Sequence, residues 1–195
     1  DAEAHLAAPD SFGIHHFLRT SILGHASLDA ALAHNLGSKM MSVQGETTGL
    51  RWRELIGHAL ENDPSIVHAV ATDLCRFLKV DPACEGLLWV FSFYKGFHAV
   101  TCARVGSYFY RSEGKRGKLI ARMLQGVMSD VYGVDIHPGC RIGRGVVMDH
   151  ATGVTIGETA VIGDGVYLMH DVTLGATGSD DEHNRHPKIG NGVFL

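Results

Sequence analysis

The sequence predicts an α+β chain, helical over residues 1–132 and wound over residues 133–195 into a left-handed parallel β-helix of hexapeptide repeats. Three observations carry that prediction. Of the 24 glycines, twelve lie in residues 1–130 and twelve in the much shorter stretch 131–195, so composition changes near residue 131. Before that point apolar residues recur with the spacing of amphipathic helices. After it a period of six replaces the helical one, and Ile136, Ile142, Met148, Val154, Ala160, Val166 and Val172 are apolar in every case. At the overall apolar frequency of 45%, chance gives such a run only about 0.4% of the time.

The helical elements follow in order. Ser27 stands where a cap is wanted for a segment whose Leu28, Ala31, Leu32 and Leu36 share a face. Asp63-Pro64 combines a capping side chain with proline at the first helical position, and Ile66, Val67, Val70, Ala71, Leu74, Cys75 and Leu78 then form a broad stripe. A second Asp-Pro, Asp81-Pro82, reads as the start of the next helix. The apolar stretch Leu87–Tyr110 is interrupted by Lys95, His98 and Arg104, which suits a packed helix and not a membrane span. Leu119, Ile120, Met123, Leu124, Val127, Met128 and Val131 mark a last helix ending at Gly133.

In the coil, Ile156, Ile162, Leu168 and Leu174 form a second apolar column. Ile142-Gly143, Ile156-Gly157, Ile162-Gly163 and Ile189-Gly190 are the steps expected when a short strand turns a tight corner. An ordinary β-sandwich would instead show period two. After Leu174 the polar stretch from Gly175 to Pro187 fits no coil position, and residues 175–188 are expected to leave the scaffold as a loop, where sites tend to be built.

Charge and cysteine content narrow the function. A net charge of -4 and short Lys/Arg runs lack the electrostatic footprint of a nucleic-acid binder. Cys75, Cys84, Cys102 and Cys140 contain no C-x-x-C pair and read as reduced, mostly buried thiols of an intracellular, cytoplasmic protein, an organelle remaining open. Five histidines after residue 131 (His137, His150, His170, His183, His186) raise a zinc site, but no ligand spacing supports one, and no metal is expected. The groups able to do chemistry are Asp149-His150 inside the repeat, Asp135 before the first strand and Arg185-His186 on the loop. With three hexapeptides to a coil, Asp135 and His150 are expected near one corner, where a carboxylate would orient an imidazole acting as general base. An exposed corner histidine, a turn aspartate and a solvated Arg-His pair account for the same residues without chemistry. For Asp81, helix capping is a complete explanation.

Asp135-Ile-His-Pro, Met148-Asp-His-Ala-Thr-Gly, Ile156-Gly-Glu-Thr-Ala-Val-Ile, Val172-Thr-Leu-Gly and Arg185-His-Pro-Lys-Ile, with Asp81-Pro-Ala and Lys95-Gly-Phe-His upstream, resemble the serine O-acetyltransferases of cysteine biosynthesis over nearly the whole chain. The resemblance implies acetyl transfer from acetyl-CoA to L-serine. His150 would be the general base and Asp135 its dyad partner. Asp81 and Asp149 would hold the serine ammonium, and Arg185 and His186 its carboxylate. Gly175, Ala176 and Thr177 would contact acetyl-CoA, although acidic Asp180-Asp181-Glu182 follows here, where many members are rich in glycine and lysine. It further implies trimers paired into hexamers through the helical domain, sites in grooves between neighbouring β-helices, and inhibition by L-cysteine. A chain starting before Asp1 and continuing past Leu195 is also expected, with further coils and a tail that docks into O-acetylserine sulfhydrylase. A truncated or non-catalytic relative that binds serine or cysteine or only assembles, and a zinc-dependent hydratase on the same scaffold, are the alternatives.

Overall fold

The computed structural model describes residues 2–7, 9–10, 12–45, 49–176, 178 and 184–195. Seven α-helices precede eight two-residue strands among them: α1 (Ile14–Leu18), α2 (Leu28–Gln44), α3 (Trp52–Asn62), α4 (Pro64–Val80), α5 (Leu87–Phe93), α6 (Lys95–Ser112) and α7 (Gly114–Tyr132). A short 3-10 helix, Ala2–Ala7, and a π-turn, Arg19–Leu23, flank α1; no periodicity signals them.

Asp63 caps α4 as its sequence suggests, its Oδ1 accepting from the Ser65 amide at 3.1 Å. Ser27 occupies the cap position of α2 but makes no side-chain cap bond. Asp81-Pro82 does not start a helix. Asp81 ends α4, its Oδ1 accepts from the Ala83 amide at 2.8 Å, and the chain turns before α5 begins beyond Gly86. The Leu87–Tyr110 segment is likewise two helices, broken at Tyr94. No helix is long and apolar enough to cross a membrane among the described residues.

The strands are β1 (Asp135–Ile136), β2 (Arg141–Ile142), β3 (Val147–Met148), β4 (Thr155–Ile156), β5 (Val161–Ile162), β6 (Tyr167–Leu168), β7 (Thr173–Leu174) and β8 (Lys188–Ile189). They pair in parallel as β1-β4-β7, β2-β5-β8 and β3-β6, so the chain steps around three faces and stacks each coil on the last. The register corrects the sequence reading. Asp135 pairs with Thr155, twenty positions on, whereas Thr155 pairs with Thr173, eighteen on. The six-residue period therefore slips by two between Met148 and Ile156 as well as failing after Leu174. Two inward columns result: Val134, Cys140, Val146, Val154, Ala160 and Val166 in one, Ile136, Met148, Ile156, Ile162, Leu168 and Leu174 in the other, all buried. The run of seven counted in sixes crosses from the second column to the first at the slip. The two extra residues form the corner at Asp149–Gly153, where His150 (φ 55°) and Ala151 (φ 62°) are both left-handed; Ala151 is fully buried and His150 exposed.

Helices and coils share one hydrophobic core running from Leu36, Trp52 and Phe97 to Met148 and Leu168. A buried ion pair ties the layers together. Asp73 of α4 receives both guanidinium nitrogens of Arg104 of α6, Arg104 Nη2 donates to the Gly143 carbonyl at 2.6 Å, and the Val146 amide donates to Asp73 at 2.8 Å. Burial raises the Asp73 pKa and the Arg104 charge opposes it. Gly96 sets the other close approach: a β-carbon there would lie 1.9 Å from the Met148 carbonyl oxygen, so only glycine lets the first turn of α6 rest on the corner that carries Asp149 and His150. Cys102 and Cys140 are buried as expected, Cys84 is partly covered and Cys75 is exposed.

Candidate active site

A cleft of about 400 Å³ opens where α4 ends, α6 begins and the β3–β4 corner projects, lined by Asp81, Tyr94, Lys95, Gly96, Met148, Asp149 and His150 among others. Three of the sequence-predicted residues thus meet. Asp149 is held on two sides: Oδ2 accepts from the Tyr167 hydroxyl at 3.1 Å, and Oδ1 lies 3.8 Å from His150 Nε2. Tyr94 lines the same cleft as Asp81, whose carboxylate charge acts on its phenol. Burial, then the nearby carboxylates, raise both phenols: for Tyr167, burial and the bond to Asp149 push the pKa up to about 12. The Lys95 ammonium donates to the Thr152 hydroxyl, bracing the corner from below. His150 leaves 74% of its side chain exposed and meets the His170 ring edge-on at 6.0 Å.

Arg185 and His186 lie at a different corner, between the β1-β4-β7 and β2-β5-β8 faces. His186 Nδ1 accepts from the Thr159 amide at 3.2 Å and contacts the Thr159 hydroxyl at 2.8 Å. Arg185 Nη2 sits 3.4 Å from Glu158 Oε2, and its Nε is buried with no hydrogen-bond partner among the described residues. Tyr110 donates to the other oxygen of Glu158 at 2.8 Å, and that bond is the main reason the Glu158 pKa is lowered. Burial, followed by the charges of Arg185 and Lys188, lowers the His186 pKa, so the ring serves as a neutral hydrogen-bonding group near neutrality. Gly157 is the floor of this corner: a β-carbon there would fall 1.9 Å from His186 Nε2. Gly157→Ala is therefore expected to push His186 off Thr159 and lower the melting temperature; a variant structure with His186 still on Thr159 would show that the corner can absorb the β-carbon.

No hydrogen bond or ion pair joins Asp135 to His150 among the described residues. Asp135 lies on the outer side of β1, paired in register with Thr155, and accepts a hydrogen bond from Gln125 of α7 at 2.5 Å. Gly175 is partly covered and Ala176 exposed, while Thr177 lies outside the described residues, as do Asp180, Asp181, Glu182 and His183. Among the described residues no group of three or more His, Cys, Asp or Glu could hold a metal ion. Sequence reasoning missed Tyr94, Tyr167 and Glu158. Tyr94 breaks a helix with no proline or glycine to announce it, and Tyr167 and Glu158 occupy outward coil positions that an inward-facing period does not weigh.

The family model described as the N-terminal region of serine acetyltransferase matches residues 1–102. The chain belongs to the serine acetyltransferase family. It is 42% identical over 175 residues to serine acetyltransferase 1, chloroplastic, of Arabidopsis thaliana, covering 90% of this chain and 54% of that protein. Against probable serine acetyltransferase 3 of Oryza sativa subsp. japonica it is 41% identical over 194 residues, 100% of this chain and 63% of the relative. It thus spans less than two thirds of these relatives. Among solved members of the serine acetyltransferase family, the Neisseria gonorrhoeae enzyme in complex with serine superposes with a TM-score of 0.87 at 40% identity, covering 100% of this chain and 76% of that one. A serine acetyltransferase in complex with cysteine gives 0.88 at 35% identity, covering 100% and 72%. Relatives carrying a mitochondrial as well as a chloroplastic name occur, so family membership does not fix a compartment.

Proposed function

We propose that the chain is the serine-binding and catalytic portion of a serine O-acetyltransferase, which moves the acetyl group of acetyl-CoA to the L-serine hydroxyl. The observation that carries this reading is the convergence of Asp81, Asp149 and His150 in one cleft. Two carboxylates suit an ammonium, and a freely accessible imidazole beside them suits a hydroxyl whose pKa lies far above 7. His150 takes the serine hydroxyl proton as the oxygen attacks the thioester carbonyl. As the carbon–sulfur bond breaks, the same proton passes to the departing sulfur, leaving O-acetylserine and free CoA thiol. Gly175, Ala176 and Thr177 are the residues we assign to acetyl-CoA, and no metal enters the scheme.

Arg185 and His186 are assigned to the serine carboxylate and Asp135 to the imidazolium. Arg185 and His186 lie at another corner of the chain and Asp135 makes no bond to His150 among the described residues, so in this reading a neighbouring copy presents them. A groove between left-handed β-helices in a trimer would do so, with residues 1–132 as the assembly domain that pairs trimers into hexamers and 133–195 as the acyltransferase domain with its loop at 175–188. L-Cysteine, which differs from serine only at the γ atom, is then a competitive inhibitor. A sulfhydrylase partner and a cytoplasmic or organellar setting remain part of this reading.

The test is serine-dependent release of CoA thiol from acetyl-CoA by the full-length protein. Binding of serine without release would favour the non-catalytic alternative, and bound zinc found by metal analysis together with no thiol release would favour the hydratase. Arg185→Ala is expected to raise the serine KM by about tenfold or more, given the strength of charge-assisted bonds to a carboxylate. Mixing Arg185→Ala with His150→Ala subunits before reassembly is expected to restore part of the activity, because one kind of shared site then holds both wild-type halves. Absence of recovery in proven mixed trimers would overturn the shared site.

A further inference from the structure

We propose that Tyr167 is a positioning residue that fixes the Asp149 carboxylate for the amino group of the substrate, and that Phe194 from the following coil holds the Tyr167 ring in place. The inference rests on the serine-binding reading of the cleft and extends it to residues outside the cleft lining. Asp149 and Asp81 line one cleft, and two like charges there repel. Asp149 is met by the Tyr167 hydroxyl, while Tyr94 lines the cleft with Asp81. The contact to Asp149 is selective: Tyr167 engages Oδ2 at 3.1 Å, while Oδ1 is the oxygen 3.8 Å from His150 Nε2. One carboxylate oxygen is thereby anchored and the other is left toward the reacting side.

The phenol is itself restrained. Tyr167 and Phe194 rings stack with centroids 4.7 Å apart and planes 15° from parallel, and their backbones form a parallel bridge one coil apart. The Tyr167 amide also donates to the Val193 carbonyl at 2.9 Å, so the ring and its strand are fixed from the same neighbouring segment. A stacked ring has little freedom about its side-chain torsions, which lowers the entropy lost when its hydroxyl holds a partner. Tyr167 acts through Asp149, so its removal changes how well the amino group is held and leaves proton transfer at His150 in place.

The experiment uses the full-length protein and measures L-serine binding by calorimetry alongside serine-dependent thiol release. Tyr167→Phe keeps the ring and the stack, and is expected to raise the serine KM and dissociation constant together by about fivefold to tenfold with kcat within about twofold of wild type. Phe194→Ala is expected to move the same constants in the same direction by a smaller factor. In an Asp149→Asn background, Tyr167→Phe is expected to add little, since the two changes remove one interaction. Serine binding unchanged in Tyr167→Phe, or an equal loss in the Asp149→Asn background, would overturn the inference while wild-type binding stands. Wild-type protein that binds no L-serine would overturn the functional reading and this inference with it.

Discussion

Replacing His150 with alanine is expected to lower kcat for serine-dependent thiol release by at least about two orders of magnitude, with the oligomer unchanged in sedimentation. The size follows from the chemistry: a serine hydroxyl is almost fully protonated near neutrality, and among the described residues no other imidazole lines the cleft. The structural cost is small because 74% of the His150 side chain faces solvent and, among the described residues, no side chain hydrogen-bonds to it. The backbone at φ 55° needs a control, since alanine tolerates the left-handed region poorly. Asparagine tolerates it well and cannot act as the base, so His150→Asn should show the same loss in kcat with a wild-type melting temperature. Wild-type turnover in either variant would remove His150 from the mechanism.

The second large effect is on stability. Asp73→Ala is expected to destabilise the protein by about 3–5 kcal/mol, because it strands the buried Arg104 guanidinium without its counter-charge. Asp73 is 1% exposed and Arg104 7%, and the pair bonds to Gly143 and Val146 of the coil as well as joining α4 to α6. A loss of that size is a large share of the total stability of an ordinary domain, so a drop in denaturant midpoint should be plain. Replacing both partners with apolar side chains removes the stranded charge, and Asp73→Leu with Arg104→Met should lose less than Asp73→Ala alone. A wild-type midpoint for Asp73→Ala would mean that the ion pair carries no net stability.

Much of this architecture was legible because its signals are local. Asp63-Pro64 announces α4, Gly133 ends α7 in a left-handed cap, and alternate columns of aliphatic residues announce the coils. Asp81-Pro82 misled because the same side chain that caps a helix also closes a turn, and only the packing of α5 behind Gly86 decides between them. Asp149 and His150 could be picked out as residues, but their position could not. Seven matches in steps of six concealed the two-residue slip, because the inward columns are both aliphatic and a counter that jumps from one to the other still lands on an apolar residue. The Asp73–Arg104 pair links positions 31 apart on two helices to a third element, and no periodicity points to such a contact. Nor does any local signal place Arg185 and His186 at a different corner from His150, which depends on how coils of unequal length stack.

That slip has a consequence for attempts to idealise the chain. A strict hexapeptide sequence would delete two residues between Met148 and Ile156, remove two left-handed non-glycine positions and relieve roughly 1–2 kcal/mol at each. The product would be a more regular solenoid, and it would have lost the imidazole. With His150 in its proposed role, stability and activity pull in opposite directions at a single corner, and averaging the repeat toward its own consensus would remove the proposed base first.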